Sequence, residues 1–156
     1  MKKSILFILF FLIFSGIQAQ DDAIVKFFSK YMEDDRFSRV YISPKMMQMA
    51  GGFLKSGEAA TDKEAKDLGE LITKVRGIRI LSAEKIDGLP LYKEAMGTLT
   101  KNKYEDLMDV ADKGSNTKFM VREENGKVME LLMISGSGND FNLLSMLGNF
   151  TYQDLN

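Results

Sequence analysis

The chain has 156 residues, 45% of them hydrophobic and 28% charged, with 21 Lys and Arg against 22 Asp and Glu. This is ordinary globular composition at a length that suits one domain. It contains no His, no Cys and no Trp, which excludes a Ser-His-Asp or Cys-His nucleophile, zinc sites of the usual kind, His-ligated haem and iron–sulfur clusters. Nothing is strongly basic, so the electrostatic footprint of a nucleic-acid partner is missing as well.

The first nineteen residues read as a secretory signal peptide. Lys2 and Lys3 form a positive start, Ile5 to Phe14 is an unbroken apolar run, and Ser15 to Ala19 is more polar and ends on a small residue. That order is the pattern of an export signal, and the run is short of the ~20 residues a spanning helix needs. Cleavage is expected near Ala19, leaving 20–156 as a single domain that begins at Gln20 and retains no integral membrane segment. Phe14-Ser15-Gly16 approaches a lipobox, but Ile17 stands where lipid attachment needs Cys. Loss of residues 1–19 leaves 19 basic against 22 acidic residues.

Ile24, Phe27, Phe28 and Tyr31 fall at i, i+3, i+4 and i+7, which predicts a helix over about 22–33, with Asp21 and Asp22 at its positive end. Phe37 to Ser43 is β-branched and aromatic and reads as a strand. Ser43-Pro44 is a helix start, with Ser as N-cap and Pro at the first helical position. The helix carries Met46, Met47, Met49, Ala50, Phe53 and Leu54, and Gly51-Gly52 weakens it. Thr61-Asp62-Lys63-Glu64 matches a capping box, opening a helix through Ala65, Leu68, Leu71, Ile72 and Val75. Gly77 is expected to end it, and Ile78 to Leu81 to form a strand.

Asp87-Gly88 is a turn, and Pro90 lies near the start of a helix through Tyr92, Ala95, Met96 and Leu99. Tyr104 to Val110 contains helix formers but also alternates, with Tyr104, Asp106, Met108 and Val110 on one side. Strand is favoured there by the strands that follow, and helix stays open. Thr117 to Glu123 and Val128 to Ile134 flank Asn125-Gly126, a strong hairpin signal because a type I′ turn needs positive φ twice. Gly136 to Asp140 turns into a last strand from Phe141 to Phe150. The expected fold class is therefore α+β, with N-terminal helices packed on a mixed sheet that ends in a C-terminal antiparallel meander. Val128 to Ile134 is apolar on both faces and is expected to be central and covered on both sides. Ile24, Phe27, Phe28, Val40, Ile42, Leu68, Ile72, Ile80, Leu132 and Ile134 are the expected core.

Candidate chemistry is sparse. Gly136 to Asp140 loosely resembles one turn of a calcium-binding nonapeptide repeat, but such repeats share ions between stacked copies and this chain has one. Glu105, Asp106, Asp109 and Asp112 could do acid–base or metal work if their environments differed. On a strand, alternation places Glu105 and Asp109 on one face and Asp106 and Asp112 on the other, and solvated charge explains them. Met46, Met47 and Met49 with Phe53 and Leu54 could line an adaptable groove, though such residues are more often core. Gly51-Gly52 lacks the Lys-Ser/Thr of a phosphate loop, and Ser29-Lys30 is adjacent in sequence only. No catalytic, cofactor-binding or metal-ligating residue is assigned.

The segment Phe37-Ser-Arg-Val-Tyr-Ile-Ser-Pro-Lys-Met46, with a helix on each side, an export signal ahead and a late β-meander, resembles the exported bacterial family catalogued as domain of unknown function 4252. Val40 to Met46 is the most specific part. Members occur mainly in Bacteroidetes, and many carry a lipobox, from which this chain departs at Ile17. The resemblance implies the envelope of a Gram-negative bacterium and no catalytic residue. The expected function is non-enzymatic binding of an unknown envelope protein or component, without a cofactor. The alternatives are a carboxylate-dependent hydrolase of an envelope substrate and a regulatory part of envelope signalling.

Overall fold

A computed structural model describes residues 22–57, 61–99 and 104–154; the expected signal peptide lies outside them. The elements run α1 (Asp22–Lys30), β1 (Phe37–Ile42), α2 (Pro44–Leu54), α3 (Lys63–Lys74), β2 (Val75–Glu84), α4 (Leu89–Leu99), β3 (Glu105–Asp112), β4 (Ser115–Glu124), β5 (Lys127–Ser137) and β6 (Asp140–Phe150). Ser43 caps α2 as expected, its Oγ accepting from the Met46 N–H at 3.2 Å. The cap of α3 is Asp62, not Thr61: its carboxylate accepts from the Glu64 N–H at 2.9 Å, so the capping residue is one position later than expected. The helix ends at Lys74 and the chain passes straight into β2, so Val75 is a strand residue and Gly77 lies at a bulge inside the strand.

The α+β architecture and the β3–β6 meander are as the sequence pattern implies, and Tyr104–Val110 resolves as strand from Glu105 onward. The sheet order is β1-β2-β6-β5-β4-β3. Every pairing is antiparallel, so the sheet is not mixed. Lys74 meets Val75 without a crossover, and β6 returns beside β2, which removes any need for a parallel neighbour. Asn125 and Gly126 take φ of 53° and 75° between β4 and β5, the geometry of the expected tight turn.

The two faces of the sheet are covered differently. On one, α1 and α4 close over Phe37, Leu81, Ala83, Met120, Leu132, Ile134, Phe141 and Leu143. Four aromatic rings anchor this side. Tyr31 stacks on Phe37 with centroids 4.5 Å apart, and Phe27 and Phe37 meet Phe141 at 6.0 and 6.5 Å. On the other, α2 and α3 pack over one end only, where Met47 and Leu71 meet Val75, Ile78, Val121, Leu131, Met146 and Phe150. The expected core divides accordingly. Ile24, Phe27, Leu132 and Ile134 are buried, Phe28, Ile42, Ile72 and Ile80 are half-buried, and Val40 and Leu68 are exposed. Val40 misses burial because it lies on the edge strand β1 in a row that α2 and α3 do not reach, and Leu68 sits a turn before the part of α3 that meets the sheet.

Candidate binding face

The strand register on the second face reveals three cross-strand rows. The first is Ile42, Ile78, Met146, Leu131 and Val121, and α2 and α3 cover it. The third is Ser38, Ser82, Asn142, Ser135 and Thr117, a solvated row in which Thr117 and Ser135 share a hydroxyl hydrogen bond of 2.9 Å. Between them runs Val40, Ile80, Leu144, Met133, Phe119 and Met108, one residue from each of the six strands and all apolar. No described helix covers this middle row. Val40 and Met108 at its ends are 44% and 49% exposed, and the four between them are half-buried. Beside it, Leu107, Phe119, Leu131, Met133, Leu144 and Met146 line a trough of about 230 Å³.

The middle row reaches the far edge because β3 is bulged. Asp106 pairs with Met120 and Met108 pairs with Phe119, leaving Leu107 as the extra residue. The bulge overturns the expected alternation in two ways. Asp106 and Met108 fall on opposite faces, and Asp106 and Asp109 fall on the same one. There both carboxylates meet Lys118 Nζ, at 2.8 and 3.4 Å. The four acids of β3 are exposed, with no base on the strand. Acids on an open edge oppose pairing with a second such strand, which accounts for them without a metal. The Gly136–Asp140 segment is the tight turn joining β5 to β6, in which Ser137 Oγ donates to Asp140 Oδ1 at 2.6 Å and accepts from the Asp140 N–H at 3.1 Å. The Asp140 carboxylate is thus engaged within its own turn. Nothing brings Ser29-Lys30 together as a reactive pair, since Lys30 reaches away to Glu94.

The profile of a family described as a domain of unknown function, DUF4252, matches residues 31–156, more than half of the chain. The chain belongs to the DUF4252 family. No curated protein and no solved structure matches it.

Sequence reasoning missed a buried polar cluster in this DUF4252 domain. Glu130 stands on the helix-sealed face of β5, 2% exposed. Its Oε1 accepts from Ser145 Oγ at 2.5 Å, and its Oε2 accepts from Tyr104 OH at 2.6 Å and from Arg122 Nε at 3.5 Å. Arg122 Nη1 turns to Glu124 at 2.7 Å. Burial, with the Glu130 carboxylate beside it, pushes the Tyr104 hydroxyl far above its usual range, so the phenol stays a donor. Burial works against the Arg122 charge, but Glu130, Tyr104 and Glu124 hold its pKa above the ordinary value. Each Glu130 oxygen is engaged and the group is closed to solvent. It is a satisfied structural pair, of the kind that is strongly destabilising to break. The available signal was Glu130 itself, an acid within the apolar run from Val128 to Ile134.

The methionines of α2 depart from the core reading of this DUF4252 chain. Met46, Met49 and Phe53 lie at i, i+3 and i+7, 57%, 62% and 75% exposed. Met47 and Leu54 face inward, half-buried. The helix pair closes through glycines instead. A Cβ on Gly51 would meet the Gly69 carbonyl oxygen at 2.7 Å, and one on Gly69 the Gly51 carbonyl oxygen at 2.9 Å. Backbone contact this close lets α2 and α3 associate with few large side chains between them, so the outer stripe of α2 is left in solvent. No described helix is long and apolar enough to cross a membrane.

Proposed function

We propose that this DUF4252 protein is an exported, non-enzymatic interaction domain of a Gram-negative envelope, and that its open sheet face holds an amphipathic protein segment with basic flanks. The observation that carries this reading is the unbroken middle row from Val40 to Met108. A solvated face of an antiparallel sheet is ordinarily polar, as the adjacent serine-rich row is. The middle row breaks that rule across all six strands, beside a trough that fits a partner's apolar side chains. Basic flanks follow from β3, which carries four acids and no base, with Glu105 and Asp112 on the same side as Met108.

The Lys2-Lys3 start and the apolar run to Phe14 support export, periplasmic residence and cleavage near Ala19. No cofactor, metal or nucleic acid enters the reading, and no hydrolytic role follows from Glu130, which is sealed. The test is a photoreactive residue at Met133 in intact cells, with Lys63 on α3 as the control position. A discrete adduct is expected at 133 and not at 63, lost in Leu144→Asp and weakened in Glu105→Gln/Asp112→Asn. An adduct indifferent to both changes, or none at 133, overturns the proposal. N-terminal sequencing should find Gln20, whereas an intact Met1 species in carbonate-washed membranes would remove the export claim.

A further inference from the structure

The helix α1 carries more apolar surface than its core contact uses. Ile24, Phe27 and Tyr31 form the stripe buried against the sheet. Val25 and Phe28 on α1, with Met32 in the turn that follows it, form a second stripe, with Val25 and Met32 exposed. This second stripe walls a groove of about 370 Å³ at the β1 edge, which Val40 at the end of the middle row also lines. Tyr41, Arg39 and Arg79 line it from the strands.

The charges here are uniform. The lining includes two guanidinium groups, two hydroxyls at Ser29 and Tyr41, and no carboxylate. Neither Arg39 nor Arg79 forms an ion pair among the described residues. Arg39 is held in place by a bond from Nη1 to the Tyr31 carbonyl oxygen at 3.2 Å, which leaves the rest of its fork for another acceptor. Across from Arg79 in the register stands Ser145, whose hydroxyl is committed to Glu130. Arg39 and Arg79 share a face of neighbouring strands on a diagonal, since Arg39 pairs with Leu81 and Arg79 with Tyr41. Diagonal positions lie about 7–8 Å apart, a gap that one carboxylate or phosphate can bridge with charge-assisted hydrogen bonds.

We infer that the α1–β1 groove binds a single acyl chain ending in an anionic head, the chain lying along Val25, Phe28 and Met32 and the head shared by Arg39 and Arg79. The two parts of the site demand both halves of such a molecule. An inorganic anion leaves the apolar wall wet, and an uncharged chain leaves the two guanidinium groups without a counter-charge.

Calorimetric titration of the full-length chain tests this with four probes: laurate below its micelle concentration, dodecyl phosphate, dodecanol and inorganic phosphate. Laurate and dodecyl phosphate are expected to bind about tenfold or more tighter than dodecanol, and inorganic phosphate not measurably. Arg39→Gln and Arg79→Gln should each weaken laurate several-fold and leave dodecanol unchanged, with Arg79→Lys restoring part of the loss. Val25→Asp should weaken both chains. Far-UV circular dichroism confirms that each variant keeps its fold, and the Lys variant keeps the test decisive if a Gln variant does not. Equal affinity for laurate and dodecanol would overturn the inference, as would phosphate binding as tight as dodecyl phosphate. So would sedimentation with phosphatidylglycerol vesicles without binding of monomeric laurate, which would mean a membrane surface and not a groove.

Discussion

The two faces of the sheet use similar apolar residues to different ends. Under α1 and α4, large side chains interlock: Phe27, Tyr31, Phe37 and Phe141 meet ring to ring, and Leu81, Ile134 and Leu143 are fully buried. Under α2 and α3, the helices approach each other through Gly51 and Gly69, cover one row, and leave the next row of six apolar residues half-exposed. Apolar content therefore does not decide what is core. Helix placement does, and the glycine contact, the short loops and the Lys74–Val75 junction fix the placement of α2 and α3 at one end of the sheet.

If one face is core and the other surface, substitutions should separate cleanly. The largest effect belongs to Glu130→Ala on the sealed face, which strands Arg122, Tyr104 and Ser145 together. A loss of about 3–5 kcal/mol is expected in denaturant titration. A loss under ~1 kcal/mol would mean that water already reaches the cluster and that the face is not sealed. Next comes Gly51→Ala at the helix contact, where the new Cβ would meet Thr73 Cγ2 at 2.6 Å and the Gly69 carbonyl oxygen at 2.7 Å. Overpacking of this kind should lower stability by about 1–3 kcal/mol. A neutral result would show that α2 and α3 are free to separate.

Phe53→Ser on the outer stripe of α2 should stay within about 0.5 kcal/mol, like other exposed changes. A large loss would mean that something covers α2. The smallest effect concerns the end of the chain. Lys74 and the Thr151 backbone N–H hold the Asp154 carboxyl at about 2, below the ~3.9 of an unfolded Asp. A depressed carboxyl stabilises above the unfolded pKa and loses its contribution as pH falls through the folded one. The melting point of Asp154→Asn should therefore lie slightly below that of the wild type above pH ~4 and converge with it near pH 2. A gap that persisted at pH 2 would assign the effect to something other than charge.

Much of this division was legible in the sequence. The helical period of Ile24, Phe27 and Tyr31, the Ser43-Pro44 start and the Asn125-Gly126 turn are local signals, and local physics decided them. The unread parts depend on distant residues. The bulge at Leu107 is a matter of pairing with β4, and it moved Asp106 onto Lys118 beside Asp109. Met46, Met49 and Phe53 are as apolar as any core residue, and only the glycine approach of α3 leaves them outside. Glu130 finds Arg122 directly opposite in register, and Ser145 from β6 and Tyr104 from just before β3, partners separated from it by 8, 15 and 26 residues.

The most direct test of the account uses two adjacent leucines of β6. Leu143 is fully buried on the sealed face, and Leu144 lies in the open row. Strand, residue type and substitution are the same for both, so only the face differs. Denaturant titration of Leu143→Ala and Leu144→Ala side by side should give a loss of about 2–5 kcal/mol for the first, as for a packed interior, and under ~1 kcal/mol for the second. Equal losses would contradict the account, because Leu144 would then be core and the middle row would not be free to receive a partner.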